Sequence, residues 1–335
     1  MTSGKVPVLV TGGAGYIGSH TVLALLDAGW RVVVIDDESN GTRALVPDAV
    51  AYIRGDVADR PLVANMLSEH GIGAILHFAG SIQVGESVEK PLAYYANNTL
   101  ASHALLSEAV AAGVPHFVFS STAAVYGAPE RLPIDEADPK LPINPYGASK
   151  WMTEQMLADA ARAHPFNYAA LRYFNVSGAD PQLRSGQIGK SSTHIIKVAT
   201  EAALGKRDHV DVFGTDYPTP DGSCIRDYIH VSDLAAAHVA ALERLIAAPR
   251  ENLLLNCGYG TGHSVIEVLD ALDDVCQRKI PRRLGERRAG DPPQLVASNR
   301  TLVETLEWTP RHADIHGIVA DALAWERKLI DWKSR

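Results

Sequence analysis

The stretch "VLVTGGAGYIGSH", residues 8–20, sets the fold that the rest of the chain must follow. A short apolar run enters a glycine cluster, and a helix-like segment leaves it. Gly12, Gly15 and Gly18 are spaced GxxGxxG, while Gly13, Gly15 and Gly18 are spaced GxGxxG. Such a turn is tight enough for backbone N–H groups to meet a pyrophosphate at the helix N-terminus. A glycine pattern alone is weak evidence. The strand before it and the helix after it give it weight.

The next apolar run ends in "VVVIDDESN" (32–40), with Asp36 lying 18 residues after Gly18. An acid there is placed to bind the adenosine ribose hydroxyls. Asp36 or Asp37 would also repel a 2′-phosphate, which favours NAD over NADP. The plainer alternative is a helix cap beside a solvated acidic loop. "GDV" (55–57) puts Asp56 near the adenine, and "HFAG" (77–80) falls at another strand's carboxyl end; either is also compatible with an ordinary turn.

Working outward, apolar runs at 6–11, 31–36, 50–54, 74–78, 116–120 and 168–172 alternate with helix-like segments at 16–29, 60–70, 91–112 and 146–164. Continuous apolar strands between amphipathic helices predict a parallel sheet covered on both faces, an α/β, doubly wound, Rossmann-like architecture. Beyond residue 175 the texture loosens. "GADPQLRSGQIGK" (178–190) and "GTDYPTPDG" (214–222) read as loops around a helix at about 192–205. "RDYIHV" (226–231) reads as a strand before an alanine-rich helix from 232. Ser264 and Glu267 have capping-box spacing, and a last helix is expected at about 314–332. The expected division is a dinucleotide-binding domain over 1–174 and a smaller α/β substrate domain over 175–335, with parts of 226–248 returning to the first.

Composition narrows the function. The chain has 335 residues, 46% hydrophobic and 21% charged, which is enough for a sizeable core and argues against disorder. With 31 basic and 39 acidic residues the net charge is −8, the wrong sign for a nucleic-acid binder. Phosphate groups would have to be met by a few placed arginines. Three widely spaced cysteines, Cys224, Cys257 and Cys276, contain no CxxC, so a zinc site or disulfide framework is not expected. Thirteen histidines show no HxxxH pairing, and no metal is expected. "VPVLV" (6–10) is too short to span a bilayer, and no signal-peptide pattern opens the sequence. A cytoplasmic location is the expectation.

Chemistry enters with "FVFSSTAAVYG" (117–127) and "PYGASK" (145–150). The first is a strand ending in Ser120, Ser121 and Thr122, at the edge where such sheets bind ligands. In the second, Tyr146 and Lys150 stand four apart, on one helix face, with Cβ atoms about 5–6 Å apart. A nearby ammonium favours a phenolate and makes tyrosine a usable base.

"TGGAGYIG", the strand-end hydroxyls and "YGASK" resemble the extended short-chain dehydrogenase/reductase superfamily. "HFAGSIQVGESVEKPLAYYANN", "SSTAAVYG", "LRYFNVSGADP", "FGTDYPTPDGSCIRDYIHV" and "RRAGDPP" resemble, in the same order from about 8 to 310, its UDP-glucose 4-epimerase family. The resemblance implies that Tyr146 removes the proton of the sugar 4-hydroxyl, that Lys150 tunes Tyr146 and binds the nicotinamide ribose, and that Thr122 bonds O4 and the phenol. It implies NAD contacts at the glycine turn (Gly12, Gly15, Tyr16, Ile17, Gly18), after the second strand (Asp36, Asp37, Asn40), at Asp56 and Val57, at Phe78, Ala79 and Gly80, and at Asn97, Ser120 and Tyr173. For the UDP-sugar it implies Asn175, His194, Ile195, Val212 and Phe213, with Arg226 and Arg288 on the diphosphate, Asp291 on a ribose and Leu295 helping to set pocket size. Tyr173 and Phe174 read equally as core packing, and His77 and His230 as satisfied, partly buried histidines.

Dehydratases of this superfamily carry Asp-Glu where this chain has Ala123 and Ala124, which leaves elimination without its proton donor. "SIQ" (81–83) replaces a segment that often holds a lysine, and leucine at 295 is smaller than the tyrosine of some relatives. The expected activity is therefore reversible C4 epimerisation of UDP-galactose and UDP-glucose, with UDP-N-acetylhexosamines accepted. A 4-epimerase of another nucleotide sugar, such as a UDP-pentose, and a non-catalytic NAD-binding regulator are the alternatives. A homodimer through helices 91–112 and 146–164 is a further expectation of the resemblance.

Overall fold

The structure, a computed structural model, describes residues 5–188, 193–288 and 291–333. Strands β1 (Val8–Thr11), β2 (Val32–Asp36), β3 (Ala51–Arg54), β4 (Ala74–His77), β5 (His116–Thr122) and β6 (Asn167–Tyr173) come from the first half. The helices between them are α1 (Tyr16–Asp27), α2 (Arg60–His70), α3 (Val84–Glu89), α4 (Pro91–Tyr94), α5 (Ala101–Ala111) and α6 (Pro145–Ala163). The predicted helix at 91–112 is thus α4 and α5 joined by a π-helical turn, Tyr95–Leu100.

The second half adds β7 (Asn175–Ser177), α7 (Ile195–Ala203), β8 (Val210–Phe213), β9 (Ile225–His230), α8 (Val231–Ala247), β10 (Leu253–Cys257), β11 (Gly262–Ser264), α9 (Val265–Cys276), β12 (Arg282–Gly285), β13 (Gln294–Leu295), α10 (Arg300–Leu306) and α11 (Ile315–Lys333). The loop predicted at 178–190 ends outside the described residues, at Gly189 and Lys190. So does Ser192, where the predicted helix began; α7 starts at Ile195 with His194 as its N-cap. The capping box at Ser264 and Glu267 is present, with both reciprocal bonds formed. No helix among the described residues is long and apolar enough to cross a membrane.

The main sheet has seven strands in the order β10-β6-β5-β4-β1-β2-β3, and every pairing in it is parallel. Chain direction reverses its march between β1 and β4, and the crevice outside their carboxyl ends is where such sheets bind ligands. Alternate strand residues supply two cores. Val8 and Val10 pack with Val22, Leu25 and Leu234 of α1 and α8. Leu9 and Phe117 pack on the other face with Met66, Leu105 and Leu157 of α2, α5 and α6. The last strand, β10, and the covering helix α8 come from beyond residue 175. A smaller sheet, β11-β9-β13 with β7 also paired to β9, sits beyond the carboxyl ends, and β8 and β12 form a separate parallel pair.

One buried ion pair ties α6 to this frame. Arg172 of β6 and Glu154 of α6 are 0% and 2% exposed and meet at 2.5 Å. The guanidinium also donates from Nε to Glu154 at 3.0 Å, and from Nη1 to the Tyr126 hydroxyl at 2.8 Å. Ser121, opposite Arg172 in the β5–β6 register, donates its hydroxyl to the same carboxylate. Removing one partner strands a charge in the interior, so Arg172→Met is expected to lower the unfolding free energy by about 3–5 kcal/mol. Urea unfolding is the measurement, and adding Glu154→Leu is expected to recover more than half of the loss.

Candidate active site

The glycine turn makes a cradle bounded by backbone. Gly12 has φ +66°, and a Cβ there would lie 2.6 Å from the amide nitrogen of Ala79. A Cβ on Gly18 would lie 2.2 Å from the Gly12 carbonyl oxygen, so α1 begins pressed against the turn. Gly15 is its N-cap and has no side chain to compete for the exposed N–H groups. A cradle that side chains would fill, at a helix N-terminus between β1 and β4, fits a dinucleotide pyrophosphate. Ile17 packs on the core below, and the Tyr16 hydroxyl donates to the Gly178 carbonyl at 2.7 Å, tying the turn to the second half.

Asp36 ends β2 and braces that turn, accepting from the Ala14 N–H at 2.9 Å and the Glu38 N–H at 2.8 Å. Burial pushes its carboxyl above the usual range despite these donors. Asp37 and Asn40 are exposed beside it, and Asp37 accepts from the Ser39 N–H at 2.9 Å. Asp56 accepts from the Ala58 N–H at 2.8 Å, whereas the neighbouring Val57 is core. At the end of β4, Phe78, Ala79 and Gly80 line the other side of the crevice.

Asn98, which the sequence reading passed over, organises the next layer. It is buried in the π-helical turn, a rare geometry that recurs at functional sites. It accepts from the Ser81 N–H at 2.7 Å and donates to the Ser81 carbonyl at 3.0 Å and the Ser149 hydroxyl at 3.1 Å. Asn97 donates to the Ser81 hydroxyl at 2.9 Å. Ser81 is therefore held by two asparagines, and the Gln83 N–H donates to the Tyr94 hydroxyl at 2.9 Å. The signal was a pair of short amides inside a helical stretch, where such residues are disfavoured without a partner.

Tyr146, Lys150, Thr122 and Ser120 converge where α6 starts over the end of β5. Asn144 caps the helix, accepting from the Gly147 N–H at 2.8 Å. A Cβ on Gly147 would lie 2.5 Å from the Ala124 carbonyl oxygen, so the helix start packs directly on the turn after Thr122. The Tyr146 phenol is buried beside Thr122; burial raises its pKa, and the Thr122 hydroxyl opposes that rise. Lys150 is buried too. Its ammonium donates to the Ser120 carbonyl at 3.0 Å, and burial pulls its pKa down to about 8. The structure thus puts the Lys150 charge on the strand end rather than on the phenol. The Ser120 and Tyr173 hydroxyls bond each other at the same edge.

The smaller sheet brings the remaining predicted residues together. Asn175 pairs with Tyr228 across β7 and β9, and Leu295 pairs with Arg226 across β13 and β9. Arg226 meets Asp291 at 2.5 Å. The exposed Arg288 lies over the Phe213 ring at 4.0 Å, next to the buried Val212 of β8. Leu295 and Phe174 pack together against Ala123 and Tyr126, beside Thr122. His194 and Ile195 begin α7 at the rim.

His230, His312 and Asp321 offer ligand atoms within 4.8 Å of one another. His230 Nδ1, however, accepts from the Ser232 N–H at 3.0 Å, so its proton is on Nε2, facing Asp321 at 3.2 Å. That nitrogen has no lone pair for a cation; the group is a helix cap and a hydrogen bond. His77 is fully buried and satisfied, between the Thr11 hydroxyl at 2.7 Å and the Ser102 hydroxyl at 2.8 Å.

Comparisons with known proteins agree with this geometry. The family described as "NAD dependent epimerase/dehydratase family" matches residues 8–258. A UDP-glucose 4-epimerase of Azospirillum brasilense is 56% identical over 98% of this chain and 94% of its own. A Stenotrophomonas maltophila UDP-glucose-4-epimerase, solved with NAD and formylated UDP-arabinopyranose, superposes with a TM-score of 0.94 at 39% identity, covering 98% of this chain and 99% of that one. A Campylobacter jejuni UDP-Glc/GlcNAc 4-epimerase superposes with a TM-score of 0.84 at 42% identity, covering 96% and 99%.

The buried histidines predict acid sensitivity. Burial lowers the pKa of His77 to about 3 and of His238 to about 4. Between those values and about 6.5 the unfolded chain binds the extra proton, so stability falls as pH falls, by about 2 kcal/mol per histidine at pH 5. Asp227, raised by burial to about 6, acts in the opposite sense and offsets part of this. His77→Gln is expected to flatten the dependence of unfolding free energy on pH between 7 and 5 by about one such increment, whatever its effect at pH 7; an unchanged slope refutes it.

Proposed function

Because this chain belongs to the NAD-dependent epimerase/dehydratase family and, within it, to the UDP-glucose 4-epimerases, we propose that it interconverts UDP-galactose and UDP-glucose at the site built above. The observation that carries the proposal is the buried Tyr146 phenol beside the Thr122 end of β5, with a buried Lys150 one helical turn on, bonded to the same strand end next to the glycine cradle. NAD, when bound, would supply the redox chemistry, a reversible acceptance of hydride from C4. The glycine turn holds its pyrophosphate and Asp36 its adenosine ribose, with Asp37, Asn40, Asp56 and Val57 toward the adenine. Phe78 to Gly80, Asn97, Ser120, Tyr173 and Lys150 line the nicotinamide end.

Tyr146 takes the proton of the sugar 4-hydroxyl, and Thr122 holds both oxygens in line. A phenolate is costly in this apolar setting, and the nearby Lys150 ammonium offsets that cost. Arg226 and Arg288 anchor the diphosphate and Asp291 a ribose, while Asn175, His194, Ile195, Val212 and Phe213 shape the walls. The nucleotide stays fixed and the 4-keto sugar turns about its link to it. Ala123 and Ala124 offer no acid for water loss. Residues 1–174 then form the NAD-binding unit and 175–335 the UDP-sugar unit, with α8 and, beyond the expected 226–248, the strand β10 returned to the first.

Leucine at 295, packed against the cluster of Ala123 and Tyr126, is smaller than a tyrosine and favours acceptance of an N-acetyl group, and a neighbour 42% identical is described as a UDP-Glc/GlcNAc enzyme. A UDP-pentose substrate is the second reading, favoured by the formylated UDP-arabinopyranose in the Stenotrophomonas structure. A non-catalytic regulator would have no use for the buried base. A homodimer is supported by Leu92, Leu100 and Met152, exposed along the predicted helices.

Purified protein is expected to convert UDP-galactose to UDP-glucose without added NAD; no conversion even with NAD supplied sinks the proposal, and net NADH accumulation points to a dehydrogenase. Tyr146→Phe is expected to lower kcat by about 10²–10⁴-fold. Leu295→Tyr is expected to cut turnover of UDP-N-acetylglucosamine relative to UDP-galactose by about tenfold or more; equal effects on both sugars exclude Leu295 as the gate.

A further inference from the structure

We propose that Asp227 is a positioning residue for the UDP-sugar: its carboxylate clamps the strip that carries Asp291 and Leu295 onto the strand that carries Arg226. Asp227 is fully buried in β9, adjacent to Arg226. Oδ1 accepts from the Tyr259 N–H at 2.8 Å. Oδ2 accepts from the Gly260 N–H at 3.0 Å and the Ala297 N–H at 3.2 Å. These amides belong to two separate segments, the β10–β11 connection and the residues just after β13. A Cβ on Gly258 would lie 2.4 Å from Oδ2, so the backbone approaches the carboxylate closely there.

Strand β13 is only two residues long, which is little to hold a strip against β9. The Asp227–Ala297 bond adds an anchor two residues beyond Leu295. The Ile134 N–H donates to the Val296 carbonyl at 2.9 Å, and the Ser298 N–H donates to the Ile134 carbonyl at 2.7 Å, which carries the clamp to the loop packed beside Ala123. On the strip's other side, Asp291 pairs with Arg226. A carboxylate is the group for this place, because it only accepts, and it meets three N–H donors. Asparagine has one accepting oxygen, and its amide would confront a backbone donor. Asp227 touches only backbone, so it acts through Arg226, Asp291 and Leu295.

This inference rests on those three residues binding the UDP-sugar. Asp227→Asn is expected to raise KM for UDP-galactose and the Kd of UDP, measured calorimetrically, by about tenfold or more, with kcat within about threefold and NAD content unchanged. A fall in kcat with KM unchanged, or wild-type affinity for UDP, overturns the inference and leaves the proposed reaction standing. A wild-type protein that does not bind UDP overturns both. Should the variant not fold, hydrogen exchange in the wild type decides. The Tyr259, Gly260 and Ala297 amides are expected to be protected without nucleotide, and rapid exchange at all three overturns the clamp.

Discussion

The buried pair between Arg172 and Glu154 is the constraint on which the site's geometry depends. Two charges removed from water are tolerated only when their hydrogen-bonding capacity is met, and here Ser121, Tyr126 and each other meet it. Glu154 follows Lys150 by four residues and Tyr146 by eight, so the three share one broad face of α6. Any slide or turn of that helix would break the pair and expose two charges to an apolar interior. The phenol and the ammonium are thereby kept in register with the Thr122 and Ser120 end of β5, whose Ser121 is bound to the same carboxylate.

Charge is used locally. A chain of net −8 has no general attraction for a nucleoside diphosphate. The proposed site would compensate with single cations in defined settings: Lys150 buried on a carbonyl, Arg226 oriented by Asp291, Arg288 laid over Phe213. The Arg226–Asp291 pair keeps the guanidinium aimed without covering all its donors, since five N–H groups outnumber what one carboxylate accepts.

The first six strands and their helices were legible in the sequence because strand and helix periods alternate cleanly there. The glycine turn, Asp36, Thr122, Tyr146 and Lys150 were legible because chemistry restricts which residues serve at those spacings. β10 was missed: "LLLNC" is too short and uniformly apolar to separate a strand from a buried turn of helix, and it pairs with β6 across some eighty residues of intervening chain. Asn98, Glu154, Arg172 and Asp227 were missed for another reason. Each is a polar residue whose work is to hold backbone or a buried partner, and in one dimension it looks like any surface side chain. Helix spacing put Lys150 on the face of Tyr146, but its bond to the Ser120 carbonyl could not be read from the chain, because a long side chain selects its partner only in three dimensions.

Strand β6 ends at Tyr173 and β7 begins at Asn175, with Phe174 alone between them. The main sheet therefore runs into the small one without a loop. Tyr173 faces the cofactor edge through Ser120, and Asn175 opens the strand bonded to β9. Two residues of extended chain span at most roughly 7 Å, an upper limit set by covalent geometry. The backbone positions of Tyr173, on the proposed cofactor side, and Asn175, on the proposed sugar side, are thus tied by a short peptide tether. Breathing between the two halves of the molecule can tilt the one against the other about Phe174, but cannot carry these two strand ends apart beyond that tether.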